Sequence, residues 1–371
     1  MSIRVALQQR VIPAYRAPFL ELLAKNSDIK LAVFAGYAQP HEMITSVKEL
    51  VGMDYYRARN IHFLSGKYYF CYQPGFLPWV KGWNPDVLIA EANPRYLSTP
   101  ATVRWMNAQK KPVIGWGLGI PESGGLFSSI RNASRTHFLS GFSSMIAYSE
   151  TGAQQYIRAG FATNDVFIAK NATSPAPLHP PPEKEITLEN YELILLYVGR
   201  LQPRKRIGAL IKVCSRLPEQ LQPRLWIVGD GPIRSDLEEL AKNIYPKTQF
   251  FGEKYGEELD KIFTQADVFI LPGTGGLAIQ QAMAHGLPVI VAEGDGTQFD
   301  LVDETNGWNI APGNDEELLR VIQIALSDPG DLRIKGLAAY HTVKNNVNIE
   351  KMVSVFLQAC KHAIKKVGRY E

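Results

Sequence analysis

The sequence predicts an α/β protein of two doubly wound, Rossmann-like domains, and three observations carry that reading. Short apolar runs alternate with helical stretches from residue 3 to residue 170, a proline-rich break follows, and the alternation restarts at residue 193. Strands that alternate with helices imply parallel sheets covered on both faces. A length of 371 residues suits two domains of ordinary size.

In the first half the expected strands are Ile3–Gln8, Ile29–Ala35, Ile61–Leu64, Asp86–Glu91, Pro112–Trp116, Ser144–Ser149 and Val166–Lys170. Helical spacing between them includes Ala17–Lys25, Thr99–Ala108 and Glu150–Ala159. The break, Asn171–Asn190, contains Ser174-Pro175-Ala176-Pro177 and Pro180-Pro181-Pro182. Proline fixes φ and donates no backbone hydrogen bond, so this stretch continues neither a helix nor a central strand and reads as a linker. The second series of strands is Leu193–Val198, Arg224–Val228, Thr248–Phe251, Val268–Leu271 and Pro288–Ala292. Ile349–Lys366 has helical apolar spacing and a basic end. The division expected is one domain over 1–172, a second over 173–345, and a C-terminal helix in 346–371 that packs back on the first. Ligands bind at the carboxyl ends of such strands, so the two domains are expected to face a cleft.

A composition of 46% hydrophobic and 20% charged residues is that of a soluble globular protein. No apolar run reaches the roughly 18 residues that span a bilayer, and Met1-Ser2-Ile3-Arg4-Val5 enters a strand without a signal-peptide pattern. Cys71, Cys214 and Cys360 are odd in number, far apart and without metal spacing. They read as free thiols of a reducing compartment. The expected place is therefore cytoplasmic, either in solution or peripheral at the inner membrane face. Charge is uneven: residues 1–175 hold 8 Lys and 10 Arg against 4 Asp and 6 Glu, whereas the whole chain is only +4. Such a basic half fits an anionic partner, a lipid headgroup or a phosphorylated acceptor, or an ordinary surface asymmetry; no nucleic acid is implied. The aromatic and basic stretches Tyr55–Arg59 and Lys67–Trp83 suit either a lipid surface or packing between domains.

Chemistry is concentrated in the second half. In Leu195–Lys205, LLYVGRLQPRK, a buried strand runs into Gly199, and Arg200 and Lys205 then project two cations beside the start of a helix. Two fixed positive groups there suit a diphosphate, although a solvated basic turn has the same composition. Three more strand ends carry glycine: Gly229-Asp230-Gly231-Pro232, Gly252-Glu253-Lys254, and Pro272-Gly273-Thr274-Gly275-Gly276-Leu277. Any one is an ordinary tight turn; four in succession let a ligand approach the backbone repeatedly. The last opens the helix Leu277–His285, whose free N–H groups can bind phosphate. No Asp-x-Asp motif or His/Cys cluster lies near these ends, so no metal and no cofactor are expected.

The segments YVGRLQPRK, WIVGDGP, FFGEK, GLAIQQAMAHGLPVI and NGWNIAPGNDEEL resemble the donor domain of family-4 (group 1) retaining glycosyltransferases of the GT-B fold, over about residues 190–330. The first half agrees more loosely, through IPAYRAPFLELLA, PDVLIAE, KPVIGWGLG and MIAYSETG. The resemblance implies that Arg200 and Lys205 bind the diphosphate of a nucleotide-sugar donor. It implies that the Gly276 and Leu277 backbone caps the distal phosphate, that Thr274 and Gly275 in the same turn belong to the donor site, and that Gly252 and Lys254 lie near the nucleobase. Family members usually carry two Glu with seven residues between them, for the donor sugar and the ribose; here those positions are Gly273 and Gln281. Gln281 can still bond a ribose hydroxyl, while Thr274, or Asp295 and Thr297, could stand in for the sugar contact. The acceptor-side His of the family has no counterpart, since Leu118 lies between Gly117 and Gly119, and no catalytic base is assigned. Arg16, Glu91, Asn93 and Arg95 are acceptor-side candidates at strand ends. The function implied is retaining transfer of a sugar to a glycan, lipid-linked or small-molecule acceptor. A sugar-nucleotide epimerase on the same fold and a non-catalytic nucleotide-sugar-binding protein are the alternatives.

Overall fold

The computed structural model describes all residues except 1, 43, 121–127, 183–191, 293, 295–297, 299 and 369–371. The chain divides into two units, residues 1–173 with 349–371, and residues 174–348.

The first unit begins β1 (Ile3–Val11), α1 (Ala17–Ala24), β2 (Ile29–Gly36), β3 (Asp54–Arg57), β4 (Ile61–Phe63), β5 (Phe70–Tyr72) and α2 (Phe76–Trp83). It continues β6 (Val87–Glu91), α3 (Thr99–Ala108), β7 (Val113–Gly117), α4 (Ser128–Leu139), β8 (Ser144–Ala147), α5 (Glu150–Arg158) and β9 (Val166–Ile168). Seven strands form a parallel sheet in the order β3-β2-β1-β6-β7-β8-β9. Central strands are buried on both faces, which is why Val5–Leu7 and Val87–Ala90 read as unbroken apolar runs. Helix starts follow local chemistry: the Ser149 hydroxyl accepts the Gly152 N–H at 2.9 Å and opens α5.

Two departures from the sequence reading have simple causes. Strand β3 is not signalled by its residues, because Asp-Tyr-Tyr-Arg lies at the sheet edge, largely exposed, and pairs only with β2. Ile61–Leu64, expected within the parallel series, instead supplies β4 of an antiparallel hairpin with β5, in which Phe63 faces Phe70. A short connection joins antiparallel neighbours readily, whereas a parallel pair needs a long crossover. Lys67–Trp83 is likewise not one surface stretch: Phe76 and Val80 of α2 are fully buried in the core of this unit.

The second unit comprises β10 (Ile194–Val198), α6 (Ile207–Ser215), β11 (Arg224–Val228), α7 (Arg234–Ile244), β12 (Thr248–Gly252), α8 (Gly256–Gln265), β13 (Val268–Leu271), α9 (Leu277–Ala284), β14 (Val289–Ala292), β15 (Gly307–Ile310), α10 (Asp315–Ser327) and α11 (Pro329–Asn345). Its six strands are all parallel, in the order β12-β11-β10-β13-β14-β15. The edge strand β15 was not expected; Gly-Trp-Asn-Ile offers too little apolar alternation to announce it.

The chain then returns to the first unit as α12 (Ile349–Lys366). Met352, Phe356, Ala359, Cys360 and Ala363 lie at helical spacing and are all buried there. The Phe356 ring meets Phe19 and Trp116 edge-on, each with centroids 4.9 Å apart. Outside this seam His362 and Lys366 both reach Asp165, at 2.8 and 2.6 Å. Phe356→Ala is expected to destabilise the first unit by about 3–5 kcal/mol through the cavity it leaves. Urea unfolding followed by tryptophan fluorescence measures this, and an unchanged midpoint would remove α12 from the core.

Candidate functional site

In the second sheet β10 is flanked by β11 on one side and β13 on the other, and the connections leaving β10 and β13 run to opposite sides. That is a topological switch point, where open α/β sheets bind ligands. The two loops at this point, 199–206 and 272–276, are locked together. The Lys205 ammonium donates to the Thr274 carbonyl at 2.5 Å, the Arg204 guanidinium to the Thr274 hydroxyl at 3.2 Å, and the Thr274 N–H to the Arg204 carbonyl at 3.3 Å. Buried Gln298 donates to the Gly275 carbonyl at 3.2 Å from beneath.

Two glycines make this seating possible. A Cβ at Gly229 would lie 2.0 Å from the Gly199 carbonyl oxygen, and one at Gly273 would lie 2.3 Å from the Arg204 carbonyl oxygen. Gly273 therefore marks a backbone-to-backbone contact, and the space a side chain there would need is filled by the turn carrying Lys205.

The cations differ in state. Burial, reinforced by the neighbouring Arg204 charge, lowers the Lys205 pKa to about 8. Arg200 is exposed; among the described residues no hydrogen bond or ion pair holds its guanidinium, while its carbonyl accepts the Tyr197 hydroxyl at 3.2 Å. Helix α9 starts at Gly276 without a side-chain cap, so its first N–H groups are not satisfied by one. Within α9, Gln280 turns into the core, its amide bonded to the Val347 carbonyl at 2.5 Å, and the adjacent Gln281 is half-exposed. Gly252 ends β12, two strands away, where its carbonyl accepts the Gly229 N–H at 2.7 Å; Lys254 pairs with Glu258 at 3.2 Å. Arg200, Lys205, Thr274, Gly275, Gly276 and Leu277 thus share the switch point, with Gly252 and Lys254 along the same sheet edge. Asp295 and Thr297 lie outside the described residues. Among the described residues, no three His, Cys, Asp or Glu side chains are placed to hold a metal ion.

The first unit has its own switch point between β1 and β6. Glu91, at the end of β6, accepts the Arg10 backbone N–H at 2.6 Å. Burial raises its pKa, opposed by that bond and by the charges of Arg10 and Arg16. Arg10 itself pairs with Glu42 at 2.9 Å. Arg16 is buried among rings, its guanidinium 4.9 Å from the Trp116 centroid and 5.4 Å from that of Tyr148. Asn93 and Arg95 serve the loop: the Asn93 side chain accepts the Arg95 N–H at 3.1 Å, and Arg95 is exposed. The sequence reading missed a buried amide chain beside them, in which Gln8 donates to Gln73 at 2.7 Å and Gln73 to Asn60 at 2.8 Å. Its signal was present, since Gln8-Gln9 interrupts an otherwise apolar strand. Leu118 is exposed in the loop after β7, and its carbonyl would lie 2.4 Å from a Cβ at Gly152.

Residues 182–342 match the family model of glycosyl transferases group 1. The match falls within the second unit and covers less than half of the chain. It is 33% identical over 167 residues to the sulfoquinovosyl transferase SQD2 of Arabidopsis thaliana, an alignment covering 42% of this chain and 32% of that protein. The chain spans between 32% and 48% of the length of the first curated relatives it matches. Sucrose-phosphate synthase from Thermosynechococcus elongatus superposes with a TM-score of 0.69 at 19% identity, over 98% of this chain and 100% of the other. Anabaena HepE in complex with UDP gives 0.69 at 16%, again over 98% and 100%. At such identities the likeness establishes the fold, two Rossmann-like domains of the GT-B class, and nothing finer. In the second unit, Gly273→Ala should push the 203–205 turn off its seat and cost about 1–3 kcal/mol, seen as a lowered melting temperature. A melting curve identical to that of the unsubstituted protein would show that the turn does not depend on this contact.

Proposed function

We propose that the protein transfers a sugar, with retention, from a nucleoside-diphosphate sugar to a glycan, lipid-linked or small-molecule acceptor. The observation carrying this reading is the locked pair of loops at the β10/β13 switch point, which sets Arg200, Lys205 and the uncapped start of α9 at one strand edge. Such an arrangement stabilises a diphosphate as a leaving group: the cations and N–H groups are already in position when negative charge develops. The relatives support it, for the Anabaena structure is described in complex with UDP and the curated relatives are named as glycosyltransferases. Neither the epimerase nor the non-catalytic reading gains support from the comparisons.

On this reading Arg200, unengaged by other described side chains, reaches the diphosphate, Lys205 neutralises it, and the Gly275–Leu277 backbone caps it. Gly252 and Lys254 border the nucleobase and Gln281 bonds the ribose. Sugar recognition falls to backbone groups and Thr274, because position 273 has no room for a side chain. The departing phosphate takes the acceptor proton, so the exposed Leu118 where the family carries His is no obstacle. Arg16 and Glu91 line the acceptor side, in the more basic half of the chain.

Transfer and hydrolysis assays over a panel of UDP-, GDP- and ADP-sugars test the activity. Arg200→Ala should weaken donor binding by about 1.5–3 kcal/mol, the usual worth of a hydrogen bond to a charged group, with transfer persisting in EDTA. Unchanged donor affinity in a folded Arg200→Ala protein, or transfer abolished by EDTA and restored by magnesium, would overturn the assignment.

The Lys205 pKa adds a pH test. Only the ammonium attracts a diphosphate, so nucleotide affinity should fall as pH rises through about 8. The same group acts oppositely on folding. Its native pKa lies below the unfolded value near 10.4, so the unfolded chain binds more protons between the two, and this contribution to stability rises with pH. Affinity independent of pH in this range, or an equal slope in Lys205→Met, would place the titrating charge elsewhere.

A further inference from the structure

The β4–β5 hairpin turns the usual alternation inside out. His62 and Cys71 share its inner face: Cys71 is buried, and His62 bonds the Tyr69 hydroxyl at 2.8 Å. Ile61, Phe63, Phe70 and Tyr72 share the outer face, where Phe63 is 45% exposed. At the turn Leu64 is 72% exposed and held in the left-handed region at φ +57°, a conformation uncommon outside glycine. Tyr68 and Leu97 extend the same exposed character. The hairpin is firmly attached, for the Cys71 N–H donates to the Arg95 carbonyl at 3.0 Å and its carbonyl accepts the Leu97 N–H at 2.9 Å. An apolar face held outward in this way is not explained by the core of its own unit.

Charge identifies the occupant. Within residues 55–85, Tyr56, Phe63, Tyr68, Phe70 and Tyr72 are exposed, and the charged residues are Arg57, Arg59, Lys67 and Lys81, with no Asp or Glu. Exposed Tyr and Phe in a stretch whose charged residues are all cationic match the two layers of an anionic bilayer surface: rings settle at the acyl boundary and cations meet the headgroups. No described helix is long and apolar enough to cross a membrane, so the contact is one of lying on the surface. We propose that the β4–β5 hairpin docks the protein on anionic lipid, with Phe63, Leu64 and Phe70 entering the interface.

Flotation of the full chain with phosphatidylcholine vesicles, with and without phosphatidylglycerol, tests this. Binding is expected only to the anionic vesicles, and raised salt should weaken it. Arg59→Gln should lower the partition about fivefold, the equivalent of one surface charge. Phe63→Ser with Leu64→Ser should abolish it; Leu64→Ser alone, at a wholly surface position, should weaken it and serves if the double variant fails to fold. Melting curves report folding, and nucleotide affinity is measured separately, so failure of the donor assignment and failure of docking are distinguishable. Absence of binding to anionic vesicles, equal binding to neutral ones, or undiminished binding by folded Leu64→Ser and Arg59→Gln proteins would overturn the proposal.

Discussion

The contact on which the rest of the second unit depends is main chain against main chain at the ends of its strands. The turn after β10 rests on the loop after β13, and the Gly199 carbonyl rests on Gly229, with no side chain between. Hydrogen bonds from Lys205, Arg204 and Gln298 then fasten the same loops. A loop fixed by its backbone cannot swing its cations away from one another, so their mutual repulsion is accepted during folding. Burial first, and that repulsion second, lower the Lys205 pKa. Such preorganisation is what a site needs if it is to meet a highly charged ligand without rearranging.

The first unit solves the same topological problem with different chemistry. At its β1/β6 switch point the groups are amides, a buried carboxyl and an arginine enclosed by rings, where the second unit has glycine turns and open cations. Buried polar chains of this kind hold a surface in one arrangement when every member is satisfied. Gln73 illustrates the point, since its amide is bonded to both Gln8 and Asn60 and its backbone N–H to Ser98.

How much of this the sequence disclosed depends on burial. Strands enclosed on both faces, such as Ile194–Val198, announce themselves as apolar runs; edge strands such as Asp54–Arg57 do not. Glycine at four strand ends pointed to the second switch point, because close approach leaves a compositional mark. Why Gly273 lacks a side chain was invisible in the sequence, since the obstructing carbonyl of Arg204 is 69 positions away along the chain. Ile61–Leu64 looked like any other apolar run, and only pairing showed which way its side chains point.

The return of α12 to the first unit makes the second unit, in effect, an insertion within the first. Synthesis proceeds from the N-terminus, so the face formed by Phe19 and Trp116 is complete long before Phe356 exists to cover it. At about 5–20 residues per second, making the intervening unit leaves that aromatic face open for roughly 10–35 s. A nascent chain in that interval holds a finished parallel sheet with one seam bare, the kind of surface that chaperones engage.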